Sequence, residues 1–234
     1  MVRGVVVCVD GPACSDVASQ WAAREARLRA LPLRVVHVAP LGDAVSWPAA
    51  IGERAELLVV GTPEGGGPAA RGIAARCPAP VVLVPTSSAT PEARRWSGKV
   101  TLCLDAHDPA DGALDFALRT ARLRGVPLHV LHAWSYPKCP VAAPPFAVPE
   151  KDRATWEDQE VQRLSDTLRP WREKYPEVRV LPDVFHCRVA AEALLRAAES
   201  AELLVVGRRR AGRLGPNAEA ALGSGLCAVA VVPA

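Results

Sequence analysis

The sequence lacks the features that mark membrane, exported and nucleic-acid-binding proteins. None of its apolar runs approaches the roughly 18 residues that a membrane-spanning helix needs. Residues 1–10 lack the longer apolar core and the small-residue cleavage site of a signal peptide. The formal charge of +3 comes without a lysine-rich tail or a long basic run, which argues against a nucleic-acid-binding protein. We therefore expect a soluble, cytoplasmic protein with no membrane and no nucleic-acid partner.

The cysteines lack the spacing of a disulfide framework or of a zinc site. There are seven, scattered through strand-like and helix-like segments, and no two form a Cys-x-x-Cys pair. Such a set indicates reduced thiols, mostly buried, in a reducing compartment. Cys8 and Cys103 each stand two residues before an aspartate within an apolar run, and we expect both to pack in the interior.

What the sequence has is an internal repeat. The segment Ala-Glu-Leu-Leu-Val-Val-Gly runs from Ala55 to Gly61 and again from Ala201 to Gly207. In each copy a short Val-rich run ends at a glycine, which is typical of a strand buried on both faces of a parallel sheet. The loop that each glycine opens lies at the carboxyl end of its strand, where open α/β sheets bind ligands.

A second set of matches, with an offset of 95 residues, relates the beginnings of the two halves. It aligns Asp10 with Asp105, His37 with His132, and residues 26–29 with residues 121–124. The offset then grows to 146, so the second half holds about 51 residues that the first half lacks. The sequence therefore predicts a duplication whose first copy is reduced, with domains at residues 1–86 and 99–234 and a linker at residues 87–98.

The extra residues of the second half are predicted to form a Pro-rich loop at 136–149, a helix at about 152–173 and a strand near 178–185. On that helix an apolar stripe is broken only by Glu160. Alternating strands and helices predict an α/β fold of two Rossmann-like parallel-sheet domains in tandem. The two domains are expected to pair with each other through residues 81–84 and 229–232, because neither apolar strand suits an exposed edge.

Taken in order, these segments resemble a tandem universal stress protein with two UspA domains, of the kind common in high-GC actinobacteria. The resemblance covers nearly the whole chain. It rests on the strands that end at Asp10 and Asp105, the Leu-x-Val-x-His strands that end at His37 and His132, and both Leu-Leu-Val-Val-Gly strands. The closing Val-Val-Leu-Val-Pro and Val-Ala-Val-Val-Pro segments complete the pattern.

The resemblance implies where an adenine nucleotide would bind. In ATP-binding members, the aspartate that closes the first strand and the residue after the second-strand histidine line the nucleoside pocket. These positions hold Asp105 and Ala133 in the second half, and Asp10 and Val38 in the first. A carboxylate can accept hydrogen bonds from ribose hydroxyls or an adenine amine. The alternative interpretation is that these aspartates only begin turns or cap helices.

The phosphate loop of the family is incomplete here. The family pattern is Gly-x-x-Gly, nine residues, then Gly-Ser or Gly-Thr, which lets backbone N–H groups and a helix N-terminus hold phosphates. After Gly207, the second glycine position holds Arg210, Gly215-Pro216 comes five residues too early and Gly223-Ser224 three too late. The full set of candidate nucleotide-binding residues is Asp105, Ala133, Val206, Gly207, Arg208, Gly215, Pro216 and Asn217.

Arginines stand where the glycines are missing. Arg208, Arg209, Arg210 and Arg213 can bind phosphate or another anion, or they can belong to a solvated loop without a ligand. His37 and His132 lie in apolar strands and are expected to line the core or a pocket rather than to catalyse. No Ser-His-Asp set, paired carboxylates or metal-ligand spacing can be assembled, so we predict no catalytic residue and no metal site.

Three functions remain open from the sequence. The first is a non-catalytic stress-response or regulatory protein that binds ATP or another adenine nucleotide weakly in its second half. The second is a structural interaction module with degenerate pockets, which would act through a homodimer or a regulatory protein partner. The third is a nucleotide-hydrolysing enzyme, which the missing phosphate motif and base argue against.

Overall fold

A computed structural model describes residues 3–9, 12–37, 52–63, 66–86, 99–136, 150–187, 189–208 and 213–233. The strands are β1 (Gly4–Val9), β2 (Leu33–His37), β3 (Ala55–Thr62), β4 (Val81–Pro85), β5 (Val100–Cys103), β6 (Leu128–Trp134), β7 (Val180–His186), β8 (Leu203–Arg208) and β9 (Ala228–Pro233). The helices are α1 (Pro12–Leu28), α2 (Pro68–Arg76), α3 (Asp111–Arg124), α4 (Glu150–Lys174), α5 (Ala190–Ser200) and α6 (Pro216–Ser224). None of these helices combines the length and apolar character needed to cross a bilayer.

The described strands form one sheet in the order β2-β1-β3-β4-β9-β8-β5-β6-β7. Every neighbouring pair is parallel except β4 and β9, which run antiparallel. Each half thus contributes a parallel sheet, as the alternation of strands and helices predicts. The expected α/β fold class is confirmed.

The junction between the halves is the pairing of β4 with β9. Val81 lies opposite Val231, and Leu83 lies opposite Val229. The predicted pairing of the two closing strands is therefore confirmed. It removes two apolar edges at once, since each strand gives the other its missing hydrogen-bond partner.

Helices cover both faces of the sheet. Trp21 of α1, Leu114 of α3 and Leu164 of α4 pack in one continuous core on the first face. Ile73 of α2 and Leu194 of α5, together with apolar residues of α6, form the core of the opposite face. The inner strands β1, β3, β4 and β9 are almost fully buried, which explains their near-continuous Val and Leu runs.

Buried polar side chains link the two halves in a pattern that follows the repeat. Arg124 of α3 donates hydrogen bonds to the Glu25 carboxylate of α1, from its Nε at 3.2 Å and from its Nη2. At the positions 95 residues earlier and later, Arg29 of α1 donates to the Thr120 hydroxyl of α3 at 2.9 Å. The halves thus meet across an approximate two-fold relation, with equivalent arginines reaching across to equivalent positions.

A second pair of contacts obeys the same relation. Arg24 of α1 forms an ion pair with Glu202, which directly precedes β8. Its equivalent Arg119 of α3 approaches Glu56 of β3 to 3.8 Å. Glu56 and Glu202 are the second residues of the two copies of the repeated segment. Both partners of the contact therefore have equivalents in the other copy of the repeat, and these equivalents also contact each other.

The structure differs from the sequence-based expectations at the beginnings of helices. Ser15 and Asp16 are of residue types that cap helices, which predicts a helix that begins near them. Helix α1 already begins at Pro12, so both residues lie within it. Asp108 with Pro109 after it likewise predicts a capped helix start. Helix α3 begins instead at Asp111, with Ala110 at its cap position and no side-chain cap. Residues 105–108 form a turn, in which the Asp108 N–H donates to the Asp105 carbonyl oxygen at 3.3 Å.

The outer edges of the sheet differ between the halves. Within the described residues, β2 is an outermost strand, and both His37 and Val35 are exposed. Its counterpart β6 lies inside the sheet, because β7 pairs with it, and His132 is buried. The expectation of a core or pocket position is thus confirmed for His132, whereas the exposure of His37 excludes a core position for it.

Candidate functional site

The second half has a topological switch point at the carboxyl ends of β5 and β8. From β5 the chain crosses to β6 by way of α3 on one face, and it reaches β8 by way of α5 on the other. Crossovers that leave in opposite directions open a crevice at the carboxyl edge, where α/β proteins bind ligands. We call this edge, between the ends of β5 and β8, the switch crevice.

Asp105 stands at the switch crevice, two residues after the end of β5. One of its carboxylate oxygens accepts the His107 backbone N–H at 3.0 Å, and the residue is exposed. The turn that the sequence left as an alternative is therefore present, and it fixes the carboxylate at the crevice mouth. The equivalent Asp10 and Val38 of the first half lie outside the described residues.

Gly207 stands on the other side of the switch crevice, within β8. A Cβ atom at this position would lie 2.7 Å from the Cβ of Ala110, which directly precedes α3. The close approach of β8 to the start of α3 therefore requires glycine whether or not a ligand binds. Val206 is buried in the core, and Ala133 of β6 is half-buried against α5.

Arg208 is directed toward the first half. Its Nη1 donates hydrogen bonds to the carbonyl oxygens of Ala74 at 3.1 Å and Cys77 at 2.6 Å. These oxygens belong to the carboxyl end of α2, where the last carbonyls of a helix lack partners of their own. Arg208 thus donates hydrogen bonds to the last carbonyl oxygens of a helix in the first half. Its role as a phosphate ligand stays a prediction, and Arg209 and Arg210 lie outside the described residues.

Helix α6 begins where Pro216 predicts, with Gly215 at its cap position. No side chain caps this end, and Asn217 is exposed in its first turn. The first amides of a helix carry partial positive charge and favour anions. Glu219, in the same turn, forms an ion pair with Arg71 of α2 at 2.9 Å, which offsets its negative charge.

The fold also assembles a cluster that the sequence analysis missed. His107, His132 and Glu160 bring their ligand-type atoms within 4.8 Å of one another. His107 Nε2 lies 3.1 and 3.0 Å from the two oxygens of the Glu160 carboxylate. His132 Nε2 lies 3.0 Å from Oε2 of the same carboxylate. We call these three residues the His–Glu cluster.

An aromatic group lies at the same end of the sheet. The Tyr136 ring is 4.2 Å from the His186 ring and 5.2 Å from the Trp156 ring, measured between centroids. Trp134 packs edge-on against Tyr136 at 5.0 Å. Trp156 is one helical turn before Glu160 on α4, so the aromatic group and the His–Glu cluster are neighbours along one helix face.

A separate cavity opens on the α5 face, toward the amino ends of the strands. It holds about 280 Å³ and is lined by Lys99, Thr101, His129, Val130, Leu131, Asp183, Phe185, Ala193, Arg196 and Ala197. Within the part of the chain that the structure describes, the buried Thr101 hydroxyl has no hydrogen-bond partner. Burial is the largest of the causes that lower the pKa of His129, followed by the charge of Lys99.

Comparison with known proteins identifies relatives over nearly the whole chain. A model of the universal stress protein family matches residues 1–60 and 97–233. Universal stress protein Rv2005c of Mycobacterium tuberculosis is 27% identical in an alignment that is 273 residues long. The alignment covers 91% of this chain and 89% of the relative. Universal stress protein Rv1996 of the same organism is 26% identical over 302 residues, covering 97% and 94%.

Solved structures show the same fold. A universal stress protein from Archaeoglobus fulgidus covers 94% of this chain and 77% of its own, with a TM-score of 0.58 and 17% identity. A putative universal stress protein from Pseudomonas aeruginosa covers 97% and 81%, with a TM-score of 0.52 and 16% identity. Another universal stress protein from A. fulgidus, in complex with dAMP, reaches a TM-score of only 0.42, which is too low to place a nucleotide in this chain.

Proposed function

Because the chain belongs to the universal stress protein family, we propose that it is a non-catalytic regulatory protein whose second half binds an adenine nucleotide in the switch crevice. One observation carries the proposal. An exposed carboxylate, Asp105, is held by a turn at the carboxyl ends of β5 and β8, where the crossovers of the described residues diverge. A carboxylate fixed in that place can accept hydrogen bonds from ribose hydroxyls or from the adenine amine.

We assign the parts of the nucleotide to the two sides of the switch crevice. The adenosine moiety lies near Asp105 and Ala133, against the ends of Val206 and Gly207. The phosphates lie toward Gly215, Pro216 and Asn217, where the uncapped first turn of α6 favours negative charge. Arg208 contributes only if it leaves its contacts with the end of α2.

We expect the binding to be weak. A family-type phosphate cradle consists of preorganised backbone N–H groups, and the sequence after Gly207 lacks the second glycine of that cradle. Arginine side chains that replace it lose roughly 0.5–1.5 kcal/mol each in rotamer freedom when they hold an anion. A dissociation constant in the micromolar to millimolar range follows, and added salt weakens it because exposed arginine contacts are screened.

Isothermal titration with ATP at low ionic strength tests the proposal. Asp105→Ala should weaken binding by about 1–3 kcal/mol, as expected for loss of a hydrogen bond to a charged group. Asp105→Asn keeps an oxygen for the His107 N–H and so separates the turn from the ligand contact. Asp166→Ala, on the exposed face of α4, is the matched control and should bind like the parent protein.

Two other outcomes distinguish the alternative functions. Absence of ATP binding at low salt would favour an interaction module with degenerate pockets. Release of ADP would favour an enzyme, and one observation supports that second candidate. The imidazole of His107 stands two residues from Asp105 and is hydrogen-bonded to Glu160, so a potential general base lies beside the switch crevice. Hydrolysis that disappears in both His107→Ala and Asp105→Ala would establish the enzyme.

A further inference from the structure

We propose that the His–Glu cluster is a binding site for one divalent transition-metal ion of the zinc type. Its three members come from different elements: His107 from the turn after β5, His132 from β6 and Glu160 from α4. Two imidazoles and one carboxylate are a ligand set that zinc and its first-row neighbours accept, with a fourth position left to water or another ligand. The proposal does not depend on nucleotide binding.

The distances suit a metal centre after a small expansion. Zinc–nitrogen and zinc–oxygen bonds of about 2.0–2.2 Å at tetrahedral angles place ligand atoms roughly 3.3–3.5 Å apart. His107 Nε2 and His132 Nε2 each lie 3.0 Å from Oε2 of Glu160. These two separations therefore need to lengthen by only a few tenths of an ångström, and all three ligand atoms already lie within 4.8 Å of one another. The shift falls on His107, whose side chain is 52% exposed.

The surroundings of His132 favour a metal-binding tautomer. Its Nδ1 lies 3.2 Å from the Leu104 carbonyl oxygen, and an Nδ1–H that donates to this oxygen leaves a lone pair on Nε2. That lone pair faces the Glu160 carboxylate, and two acceptors at 3.0 Å repel each other unless a cation lies between them. Metal-binding histidines commonly donate their other ring N–H to a backbone carbonyl in this way.

Burial and charge add to this preference. The side chain of His132 is 1% exposed and that of Glu160 is 12% exposed, so two ligands are held rigidly. Among the described residues, the permanently charged side chain nearest to Glu160 is Arg163, whose Nε lies 3.7 Å from Oε2. A divalent ion would neutralise the half-buried carboxylate more directly, and it can enter past the exposed His107.

A cluster without metal is the competing explanation. The Ala106 N–H lies 3.3 Å from His132 Nδ1 and can donate to it, which would place the ring proton on Nε2 to bond Glu160. In that case protons alone join the three side chains. The two explanations require opposite tautomers of His132 and different responses to metal ions, and both differences are measurable.

The first experiment titrates Co²⁺ and then Zn²⁺ into the tag-free, full-length protein after treatment with a chelator, without nucleotide. We expect one Co²⁺ per chain with visible ligand-field bands, displaced by Zn²⁺ and unaffected by Mg²⁺. His107→Ala removes one exposed ligand and should weaken binding at least tenfold, as should Glu160→Gln. His37→Ala, an exposed histidine on β2, is the matched control and should bind like the parent protein.

Two results of this titration would refute the proposed metal site. Unchanged affinity in His107→Ala would overturn it. So would intense thiolate-to-cobalt absorption, because it would place the ion on cysteines. Nitrogen-15 NMR of the imidazoles supplies a readout independent of affinity. With saturating Zn²⁺, His132 should carry its proton on Nδ1, and a proton on Nε2 would refute the proposal.

Discussion

Replacement of Arg124 by Met should destabilise the protein by about 3 kcal/mol. The Arg124 side chain is 2% exposed and donates to Glu25 through two nitrogens and to Glu202 through a third, at 2.8 Å. Removal of one partner from a buried ion pair typically costs about 3–5 kcal/mol, because it leaves a buried charge uncompensated. Here Arg29 remains 3.1 Å from Glu25, and Arg24 remains on Glu202. The cost should therefore fall at the lower end of that range.

Urea unfolding at neutral pH, followed by circular dichroism and by tryptophan fluorescence, measures the effect. The variant should unfold at a lower urea concentration with the same slope, since the amount of surface exposed is unchanged. Arg122→Met is the control on the same helix: its partner Glu177 is 3.4 Å away, and the Arg122 side chain is 46% exposed. That exposed pair should contribute less than about 1 kcal/mol.

A double variant tests the cause. Arg124→Met with Glu25→Gln removes the charge that the single variant leaves behind, so it should recover part of the lost stability. If Arg124→Met costs no more than Arg122→Met, the buried network does not stabilise the contact between the halves. If the double variant is as unstable as the sum of its two singles, the loss comes from packing around Trp21, over which Arg124 lies, rather than from charge.

Two other substitutions probe the site and its support. Gly207→Ala should destabilise by about 1–3 kcal/mol, because its Cβ would meet the Cβ of Ala110, and Ala110→Gly should restore most of that loss in urea unfolding. Burial raises the pKa of Asp115, but hydrogen bonds from Lys174 and Tyr175 outweigh it and hold the pKa below 3.8. A lowered folded-state pKa stabilises the protein above about pH 4, and this contribution disappears as the pH falls through the folded pKa. Asp115→Asn should therefore cost stability at pH 6 and progressively less in acid, and an equal cost at every pH would contradict this.

The repeat allowed much of the fold to be predicted, because it identifies equivalent positions without any structure. The helix predicted at about 152–173 is Glu150–Lys174, and the strand predicted near 178–185 is Val180–His186. The pairing of the closing strands followed from their apolar edges. Helix beginnings were less certain, because the turn from Asp105 to Asp108 uses the same residue types that cap helices.

The contacts of the candidate site could not be predicted from the sequence, for a different reason. Glu160 was visible as the one break in an apolar helical stripe, but its partners lie 28 and 53 residues away in the chain. No spacing rule connects a helix residue to a strand and to the turn after a neighbouring strand. In the same way, the oxygens that Arg208 binds are 134 and 131 residues distant, so the sequence showed only a charged loop.

The most direct test of nucleotide binding by the second half is a titration with ATP followed by amide NMR of the isotope-labelled protein at low salt. The account predicts saturable shifts at the amides of Asp105, Ala133, Gly207 and Asn217. Val100 and Leu203, at the amino ends of β5 and β8, should stay unchanged. Shifts confined to the first half, or no shifts at millimolar ATP, would contradict the claim that the switch crevice binds an adenine nucleotide.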